Sequence, residues 1–147
     1  MNSNRAVLTL SVVGAVGIAL AERRHRQRLD LDTVALHQQL CADIITDPEQ
    51  LALWALNGMS PEQFAGSVSV NRQISFTQAK YRLRLLDDPG LRVAAQNLMK
   101  REGVRAFWQR HKAFRFSEAT NPRDRKFLTI LDEVHAEGTK PASDLAA

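Results

Sequence analysis

The chain has 147 residues, of which 44% are hydrophobic and 24% charged, and its formal net charge is +4 at pH 7. This composition excludes a wholly disordered chain, and the length suffices for one domain with a modest core. A single cysteine, Cys41, excludes an intramolecular disulfide and a cysteine-based zinc cage.

The first predicted element is an apolar helix over residues 6–21, a stretch without a charged residue. Sixteen residues are fewer than the roughly 20 that cross a bilayer core unaided, but flanking arginines can snorkel and extend the span. The flanking arginines are Arg5, Arg23, Arg24, Arg26 and Arg28. We therefore expect a single-pass anchor in the cell membrane, with the rest of the chain cytoplasmic because basic flanks stay inside.

Two other interpretations of this segment stay open. Ala19-Leu20-Ala21 matches the small-x-small pattern of a signal-peptidase site, which would make residues 1–21 a cleaved signal, although the arginines just beyond resist translocation. The segment could also be a core helix of a soluble protein, since it is short for a membrane span.

Neither glycine nor proline occurs between Ala19 and Asp47, so the anchor helix is expected to continue to about Ile45. Further helix starts are indicated where a capping residue precedes a proline. These starts are Asp47-Pro48, Ser60-Pro61 with Gln63 completing a capping box, Asp88-Pro89 and Asn121-Pro122. Gly66 and the β-branched residues after it predict a break near 66–69, with a helix resuming from Val70 to Leu86.

The predicted fold is therefore all-α: a transmembrane helix continuing into a compact bundle of five or six helices, without strands. Residues 1–28 form the anchor and its basic collar, residues 29–137 the helical domain, and residues 138–147 a disordered tail.

Charge is strongly segregated along the chain. Residues 1–28 carry five arginines and one glutamate, residues 29–70 six acids and no Lys or Arg, and residues 80–126 thirteen basic residues against five acids. Such blocks can pair within one fold or present separate faces to partners.

The candidate sites are weak. His37 and Cys41 stand four apart, the helical spacing of two metal ligands, but no further ligand has recognisable spacing, so packing is the preferred interpretation. No catalytic, cofactor-binding or metal-binding residue is assigned, and no cofactor is expected. The candidate interaction surface consists of Asn71, Arg72, Arg105, Trp108, Arg110, Lys112 and Arg115.

Part of this set belongs to a basic segment interleaved with aromatic residues. Such a segment suits anionic lipid or, less well, nucleic acid. The preferred interpretation is structural, because helical spacing lets one face pack in a core while the arginines face water or acids; that face carries Val104, Phe107, Trp108, His111 and Phe114.

The chain resembles an actinobacterial family of small proteins of unknown function, with an N-terminal hydrophobic segment before a helical domain. The resemblance rests on Leu-Asp-Leu-Asp at 29–32, His37, Asp47-Pro48-Glu49, Asn71, Arg105–Trp108 and the helix from Lys126 to His135. It implies a helical fold and an anchor, and no activity or catalytic residue.

Three functions are therefore considered. The favoured one is a membrane-anchored adaptor or regulator whose helical domain binds another protein. The alternatives are a small-molecule-binding domain or unrecognised enzyme, with a site between the Asn71 and Arg105–Trp108 helices, and a nucleic-acid-associated membrane protein. The sequence does not indicate which protein the partner is, or in which oligomeric state the chain occurs.

Overall fold

A computed structural model describes residues 3–55 and 58–139 of the chain, with side chains for residues 16–55 and 58–138. These residues form six helices and no strand, which confirms the predicted all-α class. The helices are α1 (Ser3–Thr46), α2 (Pro48–Trp54), α3 (Pro61–Arg82), α4 (Asp88–Met99), α5 (Glu102–Glu118) and α6 (Pro122–Thr139). From residue 140 onward, the predicted disordered tail lies outside the described residues.

The predicted helix starts are confirmed by their capping hydrogen bonds. Asp47 accepts from the backbone N–H of Glu49 at 2.9 Å, and Pro48 opens α2. Ser60 and Gln63 form the predicted capping box of α3, with the Ser60 N–H donating to Gln63 Oε1 at 3.0 Å. Asn121 accepts from the Asp124 N–H at the start of α6 in the same way. The cap of α4 is Asp87, one residue before the predicted Asp88, and α5 begins at Glu102 without a side-chain cap.

The predicted break near residues 66–69 is wrong, because α3 runs without interruption from Pro61 to Arg82. Ser67 Oγ donates to the carbonyl of Gln63 at 3.0 Å, so its hydroxyl is satisfied within the helix. The valines at 68 and 70 are half-buried. Packing of this face outweighs the weak helix propensity of Gly66 and the valines.

Helix α3 also ends earlier than predicted, at Arg82 instead of Leu86. The N–H of Leu85 donates to the Lys80 carbonyl at 2.9 Å, and Arg84 lies at φ 62. This is the hydrogen-bond pattern of a Schellman ending, with arginine at the left-handed position that glycine usually occupies.

The chain divides into two compact units, Met1–Leu36 and His37–Ala147. The described residues of the first unit lie within α1, and α1 continues to Thr46, which confirms that one helix runs past the arginine collar. In the part of the chain that the structure describes, no helix offers an apolar stretch long enough to span a bilayer. The predicted transmembrane helix is therefore not supported. Past Ala21 the helix continues into residues 22–28, most of which are charged. The side chains of residues 6–15 lie outside the described part of the chain.

The core of the second unit lies among α3, α4, α5 and α6. Its apolar side chains recur three or four residues apart on each helix, so each helix turns one face inward. The fully buried members with the largest side chains are Trp108, Tyr81, Phe127, Ile74, Leu91, Leu128, Leu131 and Val104.

Candidate functional site

The second unit contains a cavity of about 560 Å³ between α3 and α5. The end of α1 and the start of α6 complete its walls. We call this cavity the α3–α5 groove. Its lining includes His37, Cys41 and Ile44 of α1, Met59, Phe64, Ser67, Val68, Asn71, Ser75, Gln78 and Arg82 around α3, Phe107, His111, Phe114, Arg115, Glu118 and Ala119 around α5, and Asp124 and Leu128 of α6.

One row of residues on the α3 face that borders the groove carries short polar side chains, where a packed core would need large apolar ones. Ser67, Asn71 and Ser75 repeat at intervals of four residues, so they lie along one face of the helix. The wall that faces them is aromatic, with Phe107 and Phe114 on α5. A mostly apolar cavity with a few polar groups is typical of small-molecule sites, which commonly measure about 300–1,000 Å³.

Asp124 is the best-buried charged group of the groove, with 2% of its surface exposed. Arg82 donates to both of its carboxylate oxygens, from Nε at 2.6 Å and from Nη2 at 2.5 Å. Gln78 Nε2 donates to the same carboxylate at 3.0 Å, and the Asp124 N–H donates to Asn121 Oδ1 at 2.8 Å. Residues of α3 and α6 are thereby joined through one carboxylate.

Burial alone raises the pKa of Asp124, but the hydrogen bonds from Arg82 and Gln78 and the charge of Arg82 outweigh it. The pKa therefore lies below its ordinary value, and Asp124 is ionised at neutral pH. This carboxylate is already neutralised by Arg82, so it does not supply a free negative charge to the groove.

Arg115 is the other arginine of the groove, and its surroundings differ. Its guanidinium donates to Asn71 Oδ1, an uncharged amide oxygen, on the opposite helix. Within the described part of the chain, no carboxylate lies within ion-pair distance of Arg115. Burial lowers the pKa of Arg115, and the negative charge of Glu118 partly opposes this effect.

Two further titratable groups of the groove are held in their neutral forms. Burial lowers the pKa of His111, and the charges of Arg110 and Arg115 lower it further. Burial raises the pKa of Cys41, against a smaller effect of the Arg72 charge. The Cys41 sulfur lies 3.7 Å from His37 Nε2, but a protonated thiol is a poor nucleophile.

The structure brings together only some of the predicted interaction residues. Asn71 and Arg115 meet in the groove, as described above. Trp108 has no exposed surface and lies in the core, where its Nε1 donates to Asp132 Oδ1 at 2.9 Å. Lys112 pairs with the same oxygen at 3.0 Å.

The other three predicted interaction residues, Arg72, Arg105 and Arg110, do not line the α3–α5 groove. Arg72 exchanges hydrogen bonds with Gln38 of α1, Arg105 donates to the Met99 carbonyl at 2.7 Å, and Arg110 lines a neighbouring cavity. Of the flanking arginines, those at 23, 24, 26 and 28 are exposed, and the side chain of Arg5 lies outside the described residues.

Among the described residues, four of the thirteen basic residues of the 80–126 segment form ion pairs with acids: Arg82, Arg92, Lys112 and Lys126. Arg92 pairs with Glu133 at 2.5 Å and with Glu137 at 2.9 Å. Lys126 pairs with Asp88 at 2.5 Å. The pairs of Arg92 and Lys126 join α4 and α6, so part of the charge of this segment serves the packing of neighbouring helices.

Metal binding finds no support in the described residues, where no three His, Cys, Asp or Glu side chains are placed to hold an ion. The sequence did not single out Asp124 and Asp132, since acidic residues near helix ends are commonplace. For Asp124 a signal was present: it is the third residue of α6, where an acid can share hydrogen bonds with the capping Asn121.

Comparison with known proteins gives a family and no activity. Searches of curated proteins and of solved structures found no significant match. The model of a family described as a family of unknown function, DUF6082, matches residues 2–145. This match covers the helical domain and nearly all of the rest of the sequence, and the chain therefore belongs to the DUF6082 family.

Proposed function

We propose that this protein binds a small, largely apolar organic molecule in the α3–α5 groove. The observation that carries this proposal is the cavity of about 560 Å³, whose walls combine aromatic and aliphatic side chains with a few polar groups. A domain that only needed stability would gain by filling this space, because unfilled volume costs packing energy. Binding is favoured over catalysis because the lining cysteine is held protonated and Asp124 is committed to Arg82.

Filling the groove is expected to abolish binding. Ser67 lines the groove from α3, and a phenyl ring in its place enters the space between α3 and Phe107. We expect Ser67→Phe to weaken the affinity for the neutral fluorescent probe N-phenyl-1-naphthylamine at least about tenfold, the equivalent of 1.4 kcal/mol. The affinity is measured by titrating the probe into the full chain and following its fluorescence.

The matched control is Ser117→Phe, which places the same side chain on an exposed position of α5 outside the groove. This variant should bind the probe as the unchanged protein does. Equal affinities of the Ser67→Phe variant and the unchanged protein would contradict the proposal, as would an unchanged protein that does not bind the probe. Circular dichroism of both variants verifies that they are folded.

A second candidate function is attachment to a membrane through the N-terminal part of α1, with the rest of the chain acting as a cytoplasmic adaptor for another protein. Exposed apolar side chains in the first unit favour it: Ile18 is 73% exposed, and Leu29, Leu31 and Leu36 are exposed as well. The exposed arginines of residues 23–28 add the positive charge that anionic headgroups attract.

Flotation with vesicles of phosphatidylcholine and phosphatidylserine tests this second function. The full chain is expected to float with the vesicles, and a chain that lacks residues 1–21 is expected to remain at the bottom of the gradient. Replacing phosphatidylserine by phosphatidylcholine should weaken flotation, because each arginine near an anionic surface contributes about 1 kcal/mol. A full chain that does not float with either type of vesicle contradicts membrane attachment.

A further inference from the structure

The two arginines of the α3–α5 groove are partnered in opposite ways. Arg82 has a bidentate carboxylate partner in Asp124. Arg115 is half-buried, and its guanidinium donates a hydrogen bond to the neutral amide oxygen of Asn71. A guanidinium carries five N–H donors and cannot give up its charge at any ordinary pH. Among the described residues, most of the N–H donors of Arg115 have no side-chain or backbone acceptor.

A half-buried cation without a carboxylate partner costs free energy, because burial removes water without replacing it by an opposite charge. Glu118 lies one helical turn from Arg115 and on the same groove, but it is exposed and not within ion-pair distance. A carboxylate from a ligand would supply both the missing charge and a planar pair of acceptors that matches the guanidinium.

We propose that the ligand of the α3–α5 groove is an amphipathic carboxylate, whose carboxylate binds Arg115 and whose apolar part packs against Phe107 and Phe114. This inference rests on the proposed binding function of the groove and names its ligand class. Asn71 is a positioning residue in this arrangement: its amide oxygen holds the guanidinium from α3, so that the remaining N–H groups can face the ligand.

The charges of the lining favour a singly charged ligand over a dianion. Asp124 and Arg82 neutralise each other, which leaves Arg115 as the cation and Glu118 as a nearby anion. His111 lines the same groove in its neutral form and adds no positive charge. One carboxylate is balanced by Arg115, whereas a phosphate dianion brings a second negative charge near Glu118 without a partner.

The groove also has room for an extended apolar chain. A neighbouring cavity of about 650 Å³ shares Met59, Ser67, Phe107 and His111 with it. Gly66 and Gly103 line this neighbouring cavity, and a Cβ at either position would meet no atom within 4 Å. A chain held by Arg115 can therefore continue past Phe107 into the second space.

The test compares three probes that share a ten-carbon chain: decanoate, decan-1-ol and decyl phosphate. Their affinities for the full chain are measured by isothermal titration calorimetry. We expect decanoate to bind about tenfold or more tightly than decan-1-ol, since a hydrogen bond to a charged group contributes about 1.5–3 kcal/mol. Decyl phosphate should bind more weakly than decanoate.

Arg115→Gln should lower the affinity for decanoate about tenfold and leave that for decan-1-ol unchanged, because only the charged headgroup loses its partner. Arg101→Gln is the matched control: it removes the same charge at an exposed position outside both cavities and should change neither affinity. The affinity of the Arg115→Lys variant for decanoate should lie between those of the unchanged protein and Arg115→Gln, because lysine retains the charge without the planar donor pair. This variant keeps the test informative if Arg115→Gln unfolds.

Equal affinities for decanoate and decan-1-ol would overturn the carboxylate assignment, and so would an Arg115→Gln variant that weakens both probes alike. Tighter binding of decyl phosphate than of decanoate would overturn the preference for a single negative charge. These results leave the binding function intact. That function itself fails if no probe binds, or if Ser67→Phe does not weaken the binding of decan-1-ol.

Discussion

Replacing Trp108 by alanine is expected to lower the free energy of unfolding by about 3–5 kcal/mol, the range for removing a large aromatic side chain from a core. Trp108 has no exposed surface and belongs to the cluster in which α3, α4, α5 and α6 meet. The change opens a large cavity and also removes the hydrogen bond from Nε1 to Asp132 at 2.9 Å. Urea denaturation followed by circular dichroism measures the effect.

Two variants separate the causes of this loss. Trp54→Ala is the matched control, because Trp54 is 51% exposed on α2, and we expect a change below about 1 kcal/mol. Trp108→Phe keeps most of the apolar volume and removes the hydrogen bond, while Asp132 retains Lys112 as a partner. It should cost about 1–2 kcal/mol. A Trp108→Ala change no larger than that of Trp54→Ala would contradict the assignment of Trp108 to the core.

The starts of the helices are predictable because the chemistry that begins a helix is local. An aspartate or serine before a proline satisfies the first free N–H groups within three or four residues, as Asp47 and Ser60 do here. The spacing of apolar residues on α4 and α6 is equally local. These signals give the all-α class and most helix boundaries without any knowledge of tertiary contacts.

The end of α3 and its continuity past Gly66 depend on contacts that local patterns do not contain. Arg84 occupies the left-handed position of the α3 ending, where a glycine would have been a recognisable signal. Gly66 and the valines after it have poor helix propensity, but the half-buried α3 face keeps them helical. In both places the helix boundary that forms differs from the one that the sequence pattern predicts, because tertiary contacts outweigh local propensity.

The groove likewise combines residues that local sequence patterns indicate with contacts that only the tertiary structure reveals. Asn71 and Arg115 each stand out in the sequence as candidate interaction residues, but they are 44 positions apart and their hydrogen bond exists only because α3 and α5 face each other. The two helices between which a possible site is predicted from the sequence, that of Asn71 and that of Arg105–Trp108, both border the cavity; the site itself stays a prediction. The sequence did not indicate that Trp108 and Arg105 would turn away from it, toward the core and toward the end of α4.

The second large effect is expected at Asp124, whose replacement by alanine should lower the free energy of unfolding by about 3 kcal/mol. The change removes the bidentate partner of Arg82 and the acceptor for Gln78. The Arg82 side chain is 44% exposed and can turn partly to water, so we expect the lower end of the range for a broken buried pair. Urea denaturation measures the difference, and Asp43→Asn on an exposed position of α1 serves as the control, with a change below about 0.5 kcal/mol.

Asp124→Asn shows whether the charge itself carries the effect. Because the pKa of Asp124 is lowered in the folded chain, its ionised form contributes stability that is fully present above the ordinary aspartate pKa of about 3.9 and is lost as the pH falls through the folded-state value. The variant should therefore be about 2 kcal/mol less stable than the unchanged protein at neutral pH, and the two should converge in acid. A difference that stays constant as the pH falls would show that shape, and not the ion pair with Arg82, joins α3 to α6 at the groove.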